Sequence, residues 1–228
     1  MKRLFLFGVS VILLPLGIDK GLSQIPNAAY LSWTAQQAEK IGKATRSDGR
    51  VGGRFDLRVI HTERAYNYKL RATWLTPEII RATARLEQIR LRLTEDQTKA
   101  LVAEAEGAGQ TVFLVEIDPR EGSGVIPLDW HATLQPKKGE TAAMESISGV
   151  STPQLKNVKA LAGVVRRDYS YDVFWVVFAL VNDKGAPVLP DSVREVQLVV
   201  SIYDKEGTVS WSIPDSIRQR TRDIKLQN

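Results

Sequence analysis

The sequence of 228 residues contains no cysteine and only two histidines, His61 and His131. Disulfides, thiolate metal sites and cysteine nucleophiles are therefore excluded, as is any metal site that needs three histidines. The sequence also lacks His-Glu-x-x-His and Gly-x-Ser-x-Gly motifs, a Gly-rich phosphate-binding loop and an Asn-x-Ser/Thr glycosylation site. Catalytic groups can still assemble from distant parts of a fold, so these absences exclude local motifs and not every enzyme. No cofactor is indicated.

One apolar run suggests a targeting segment, and it lies at the N terminus. Lys2 and Arg3 precede a largely apolar stretch, Leu4 to Ile18, of fifteen residues. A helix needs roughly 20 residues to cross a membrane, so this stretch fits the shorter apolar region of a signal peptide. Small residues suit cleavage before Gln24. We therefore predict that residues 1–23 form a cleaved signal peptide, with a retained N-terminal anchor as the alternative.

Charge of one sign is not in large excess. The chain has 31 basic and 26 acidic residues, and without residues 1–23 the balance is 28 to 25, a net charge of +3. Such a mild charge does not indicate a nucleic-acid partner. We expect an exported protein, periplasmic or extracellular, with no transmembrane span after cleavage. With no disulfides available, its hydrophobic core alone must stabilise it.

The hydrophobic content of 43% and charged content of 25% are ordinary for a globular protein. We interpret residues 24–53 as a partly flexible tether with one short helix near Thr34 to Ala44 and a Gly-rich flexible run over 47–53. A single domain follows over residues 54–213. Residues 214–228 read as a polar, basic tail with at most two helical turns.

Alternating apolar and polar residues predict most of the domain to be β-strand. The predicted strands lie near residues 55–62, 66–74, 111–118, 125–134, 171–181, 196–203 and 208–213. Residues 135–157 read as a long exposed loop, and 158–165 fit either a strand or a short helix. We therefore predict an α+β fold that is mainly antiparallel β, sandwich-like, with seven or eight strands.

A helical hairpin is predicted between the second and third strands, over residues 76–107. Thr76-Pro77-Glu78 has the cap, proline and acid of a helix start, and Thr94-Glu95-Asp96-Gln97 is a capping box. Leu93 to Gln97 also resembles the Leu-Thr-x-x-Gln turns of small all-helical periplasmic chaperones. Capping chemistry alone produces the same letters, and the rest of the chain reads as strands.

A weak candidate metal site follows if strands 111–118 and 125–134 pair as a hairpin. Glu116, Asp129 and His131 would then lie on one non-core face, close enough to share an ion. The competing interpretation is the solvated face of an edge hairpin, where acidic residues discourage aggregation.

A second candidate is a basic stripe on the first inserted helix. Arg81, Arg85, Gln88 and Arg92 fall within a narrow arc at helical spacing. Guanidinium groups placed in this way can bind carboxylates, phosphates or anionic lipid headgroups. The competing interpretation is a solvated face that pairs with nearby acids.

A carbohydrate-stacking platform could be formed by aromatic residues, namely Trp33, Trp74, Trp130, Trp175, Tyr66, Tyr68, Tyr169 and Tyr171. The competing interpretation is core packing, because Trp74, Trp130 and Trp175 lie in phase with apolar faces. The leading functional hypothesis is an exported, non-enzymatic interaction or structural module of the bacterial cell envelope. Its partner would be an envelope protein, an anionic polysaccharide or a lipid headgroup. The alternative is a metal-assisted hydrolase that uses the face of the 111–134 hairpin.

Overall fold

The computed structural model describes residues 28–52, 67–118, 126, 128–137, 146–164 and 170–227. Its α-helices are α1 (Ala35–Gly42), α2 (Pro77–Leu91), α3 (Glu95–Gly107) and α4 (Asp215–Gln227). Its strands are β1 (Arg46–Val51), β2 (Tyr68–Trp74), β3 (Thr111–Asp118), β4 (His131–Pro136), β5 (Ile147–Ser148), β6 (Val150–Ser151), β7 (Asp172–Phe178), β8 (Glu195–Ile202) and β9 (Lys205–Ser212). The predicted signal peptide and the strand predicted at 55–62, which includes His61, lie outside the described residues.

The strands form two antiparallel sheets whose inner faces share one hydrophobic core. The order is β1-β2-β3-β7-β6 in the five-stranded sheet and β5-β4-β8-β9 in the four-stranded sheet. This arrangement confirms the predicted α+β, mainly antiparallel fold. The described residues contain nine strands. Two of them, β5 and β6, were not predicted, because they have only two residues each and are too short to produce an alternating pattern.

Aromatic rings dominate the core between the sheets. Trp74 stacks on Phe113 with ring centroids 4.9 Å apart, and Trp211 packs against Phe113 at 5.3 Å. Both indoles keep a hydrogen bond: Trp74 Nε1 donates to Thr111 Oγ1 at 2.7 Å, and Trp211 Nε1 donates to the Thr45 carbonyl at 2.6 Å. Burying these rings removes their large apolar area from water without leaving a polar atom unsatisfied.

The two sheets approach each other closely at both edges. At Gly149 the chain passes from β5 to β6, and so from one sheet to the other; a Cβ there would overlap Val176 and Phe178. At the opposite edge, the Gly52 amide donates to the Glu206 carbonyl at 3.1 Å, beside β1 and β9. Glycine is needed at the Gly149 crossing because the neighbouring side chains fill the space that a Cβ would take.

Helices cover part of the outer face of the five-stranded sheet and form a second core with it. Ile79 and Ile80 of α2 pack with Val112 and Leu114 of β3. This confirms the helical hairpin and also the capping box, in which the backbone N–H of Gln97 donates to the Thr94 hydroxyl at 3.2 Å. Among the described helices, none has the length and apolar character that a membrane span requires.

The structure differs from the sequence-based expectation at both ends of the domain. β1 occupies most of the run predicted to be flexible, since it is a polar edge strand with a weak alternating pattern. The polar tail forms α4, which has thirteen residues. Ile217 of α4 is buried in the inner core, and Arg220 donates to the carbonyls of Glu106 and Gly109 at the end of α3. The tail is therefore a packed part of the domain.

The loop predicted over 135–157 contains more structure than expected. It includes β5, β6 and a 3₁₀ helix, Pro153–Asn157. A second 3₁₀ helix, Lys159–Leu161, lies in the segment for which a strand or a short helix was predicted. Both 3₁₀ helices contribute buried side chains, Leu155 and Leu161, to the second core.

Candidate functional site

The outer face of the five-stranded sheet has an apolar half and a charged half. Near the helices, β3 places Val112 and Leu114 in the second core. Further along the same face, β3 carries Glu116 and Asp118, which pair with β2 residues Arg71 and Lys69 in the register. Because side chains on one face recur every second residue, the face changes from apolar to charged between Leu114 and Glu116.

Ion pairs link the strands in the charged half. Arg71 lies opposite Asp48 on one side and Glu116 on the other. Its Nε donates to Asp48 Oδ1 at 3.0 Å, and its Nη1 lies 3.5 Å from Glu116 Oε1. In the next row, Lys69 Nζ lies 2.9 Å from Asp118 Oδ2. Cross-strand pairs of opposite charge favour this register.

A cleft of about 660 Å³ lies at the border between the two halves. Leu114, Glu116 and Trp175 line it from the sheet, and Lys156 and Asn157 line it from the 3₁₀ helix Pro153–Asn157. Clefts of this size commonly hold small ligands in proteins.

Gly163, another lining residue, has a left-handed backbone with φ of 74°. A Cβ at this position would lie 3.1 Å from Leu114 Cδ2. Glycine therefore allows the segment after the second 3₁₀ helix to turn close to the sheet at the side of the cleft.

Glu116 is the most unusual group in the cleft. The residue is only 5% exposed, and its Oε2 atom accepts no hydrogen bond from any described residue. Burial raises the pKa of this carboxyl above its usual value, because desolvation of the charged form outweighs the attraction of Arg71 and Arg46. A buried carboxylate with one unsatisfied oxygen costs free energy of folding unless a bound group supplies a donor.

Two aromatic rings complete the lining. Tyr171 is half-buried, and the Arg71 guanidinium lies 4.4 Å from its ring centroid. Trp175 donates through Nε1 to the Leu161 carbonyl at 2.9 Å, so its polar atom is satisfied within the protein. The expectation of core packing holds in full for Trp74, which is buried. Trp130 and Trp175 are only partly buried at the margins of the two cores.

The predicted metal site depended on a hairpin between strands 111–118 and 125–134, and this predicted pairing is wrong. β3 pairs with β2 and β7, whereas β4 pairs with β5 and β8 in the other sheet. Glu116 is consequently buried beside Arg71, while Asp129 and His131 are exposed. The three residues do not share a face, and the described residues contain no group of three metal-ligating side chains. Pairing of strands close in sequence is common, but here the connection crosses between sheets.

The predicted basic stripe is largely occupied by contacts within the protein. Arg81 Nη2 lies 3.1 Å from Glu106 Oε1 on α3. Arg85 Nε donates to the Trp33 carbonyl at 2.8 Å, and its Nη1 donates to Gln88 Oε1 at 2.6 Å. Arg92 is exposed at the end of α2. The binding role of these residues stays a prediction, but their main contacts are the ones that fix α2 against α3 and the N-terminal segment.

Glu116 was named from the sequence for a different reason, and Tyr171 was considered only as one of several aromatic residues that could stack on a carbohydrate. Arg71 and Lys156 were missed. The alternation of β3 correctly placed Glu116 on the face opposite Phe113. A charged residue near the middle of a strong apolar strand was the available signal. The partners come from residues far apart in sequence, so no local pattern marked them.

Comparisons with known proteins give no family for this chain. No protein-family description, curated protein or solved structure matches it.

Proposed function

We propose that the protein is an exported, non-enzymatic binding module of the bacterial cell envelope, and that its ligand occupies the cleft beside Glu116. The observation that carries this proposal is the buried Glu116 carboxylate, whose Oε2 faces no donor among the described residues. Unsatisfied buried charges are costly, and they concentrate at functional sites. A ligand that donates a hydrogen bond to Oε2 would offset this cost.

The carboxylates of the cleft favour binding over hydrolysis. General acid–base hydrolysis commonly uses two acidic side chains that face the same bond. The described lining includes two acids, Glu116 and Asp172. Asp172 pairs with Ile117 in the β3–β7 register, whereas Glu116 pairs with Val173. Both acids border the cleft, but the register places them in different rows and not opposite each other. This arrangement supports a site that binds its ligand without cleaving it.

The sequence supports the export part of the proposal. Its N-terminal basic pair and short apolar stretch have the order of a signal peptide, and the chain does not depend on cysteine chemistry. Expression with a C-terminal tag in a bacterial host, followed by cell fractionation and N-terminal sequencing, tests this part. We expect a periplasmic or secreted product that begins at Gln24. A cytosolic product with Met1 retained would contradict export.

Sedimentation with purified peptidoglycan sacculi tests the binding part. We expect the wild-type protein to sediment with sacculi and Glu116→Leu to remain in solution, because leucine removes both acceptor oxygens. Glu104→Gln, at an exposed position of α3, is the matched control and should sediment like the wild type. Absence of sedimentation, or equal sedimentation of wild type and Glu116→Leu, would overturn the proposal.

A further inference from the structure

We infer that the ligand of the cleft is a neutral saccharide. This inference rests on the proposed function and names the chemical class that the cleft recognises. Three features carry it: the hydrogen-bonding state of Glu116, the balance of charge around the cleft and the aromatic rings in its lining.

Glu116 Oε2 lacks a hydrogen-bond donor among the described residues, whereas the charge of the carboxylate is already countered by Arg71. Its Oε1 already lies 3.5 Å from the Arg71 guanidinium, while Oε2 is buried and lacks a described partner. A hydroxyl group of a ligand can donate to Oε2 without bringing a charge into a site where only 7% of the Glu116 side chain is exposed. Because Arg71 already counters the charge of Glu116, a neutral hydroxyl can satisfy Oε2 at a smaller desolvation cost than an ammonium group would carry.

The charges in the cleft and in the ion pairs attached to Glu116 balance. Among the described residues they are the cations Arg46, Arg71 and Lys156 and the anions Asp48, Glu116 and Asp172. Over these described residues neither sign of charge is in excess. Electrostatic complementarity of this kind favours a ligand that is itself neutral and polar.

The aromatic lining suits the carbon face of a sugar ring. Trp175 and Tyr171 both line the cleft. The negative face of an aromatic ring attracts polarised C–H groups, which a pyranose presents beside its hydroxyls. Because Trp175 Nε1 already donates to the Leu161 carbonyl, its ring contributes an apolar surface. Asn157 and Lys156 line the other side and offer polar groups to the rim of such a ring.

Calorimetric titration of the purified protein tests the inference. The neutral probes are the tetramer of N-acetylglucosamine, cellotetraose and maltotetraose; spermidine and hexametaphosphate serve as cationic and anionic probes. We expect at least one tetrasaccharide to bind saturably and both charged probes to fail. Glu116→Leu should weaken saccharide binding by about tenfold or more, as expected for loss of a hydrogen bond to a charged group. Tyr171→Leu should weaken it several-fold, and Glu104→Gln should leave it unchanged.

A second variant, Glu116→Gln, keeps the test decisive if Glu116→Leu fails to fold. It also distinguishes a saccharide ligand from a cationic ligand. Glutamine keeps one acceptor oxygen, so saccharide binding should fall less than in Glu116→Leu. A cationic ligand would lose its charge partner equally in both variants. Binding of spermidine or hexametaphosphate that depends on Glu116 would overturn the saccharide inference, as would failure of all three tetrasaccharides to bind.

Competition in the sacculus assay separates failure of this inference from failure of the proposed function. If sacculi retain the wild type but not Glu116→Leu, and no neutral tetrasaccharide competes, the saccharide class is wrong and the binding function stands. If sacculi retain neither protein, both are wrong. Competition by a neutral tetrasaccharide supports both.

Discussion

The two halves of the outer face of the five-stranded sheet each hold a deeply buried β3 side chain, but burial contributes differently in the two halves. Leu114 and Glu116 are neighbours on one face of β3, and their residues are 4% and 5% exposed. Leu114 packs among apolar side chains of the helices and gains free energy by leaving water. Glu116 loses solvation and recovers only part of it from Arg71.

Burial by itself therefore does not identify what stabilises the fold. The helix-covered half behaves as core, since the buried side chains of its cluster are apolar. The charged half keeps a carboxylate in a state that destabilises the free protein. Proteins commonly accept such a cost at sites that bind ligands. The predictions below test whether the two halves respond to mutation in opposite ways.

The largest effect is expected in the apolar half. Leu114→Ala should lower the free energy of unfolding by about 2–5 kcal/mol, because it removes buried apolar groups and leaves a cavity between β3 and the helices. Urea unfolding followed by circular dichroism measures this change. A loss well below 1 kcal/mol would mean that the helical layer contributes little to stability and would remove the contrast between the halves.

Glu116→Gln should change the free energy of unfolding in the opposite direction, by raising it. A raised folded-state pKa means that the folded protein holds its proton more tightly than the unfolded chain does. Wild-type stability therefore falls as the pH rises from the usual carboxyl pKa towards the raised one. The neutral variant escapes this loss and should be more stable than the wild type at pH 7. The advantage should disappear below about pH 4, where the carboxyl is protonated in both states.

Urea unfolding from pH 3 to pH 8 measures this difference, with Glu104→Gln as the exposed control. The control should follow the wild type throughout. If Glu116→Gln were less stable than wild type at pH 7, the pairing with Arg71 would outweigh desolvation, and Glu116 would belong with the stabilising residues.

A smaller loss of stability is expected when the turn between α2 and α3 is weakened. Thr94→Ala removes the hydroxyl that accepts from the backbone N–H of Gln97 and should lower the free energy of unfolding by about 1 kcal/mol. Thr94→Ser keeps the acceptor and should retain most of the stability. Thermal unfolding of the two variants checks this, and equal melting temperatures would show that the capping box adds nothing to the domain.

The smallest effect is expected for the ion pair between the inserted helices. A double-mutant cycle with Arg81→Ala and Glu106→Ala should give a coupling of about 0.5 kcal/mol, because both side chains are partly exposed to solvent. A coupling several times larger would mean that charged pairs contribute to the apolar half as strongly as packing does.

Local sequence patterns predicted the elements better than their partners. The alternation over Thr111–Asp118 was sufficient for β3 and for the outward position of Glu116, because period two is a property of a single strand. The pairing of β4 was not predictable in this way, since its partner β8 lies some 60 residues further along the chain. The hairpin on which the metal hypothesis depended was wrong, because it assumed that the nearest strand was the partner.

The cleft itself depends on irregular structure that leaves no periodic signal. The wall with Lys156 and Asn157 comes from a 3₁₀ helix in a segment that was expected to be an exposed loop. Arg71 was not singled out, because an arginine in an alternating strand reads as solvent-exposed until a neighbouring strand supplies the opposite charge. Only the three-dimensional register brings Asp48, Arg71 and Glu116 into one row.

The most direct test of this account is the melting temperature of wild type and Glu116→Leu, each with and without a soluble muramidase digest of peptidoglycan. Leucine removes the desolvated charge, and Arg71 keeps its contacts with Asp48 and Tyr171. We therefore predict that Glu116→Leu melts at or above the wild-type temperature without digest. The digest should raise the melting temperature of the wild type alone, because a ligand stabilises only a protein that binds it. A variant that melts well below the wild type, or that gains as much as the wild type from the digest, would contradict the assignment of Glu116 to binding.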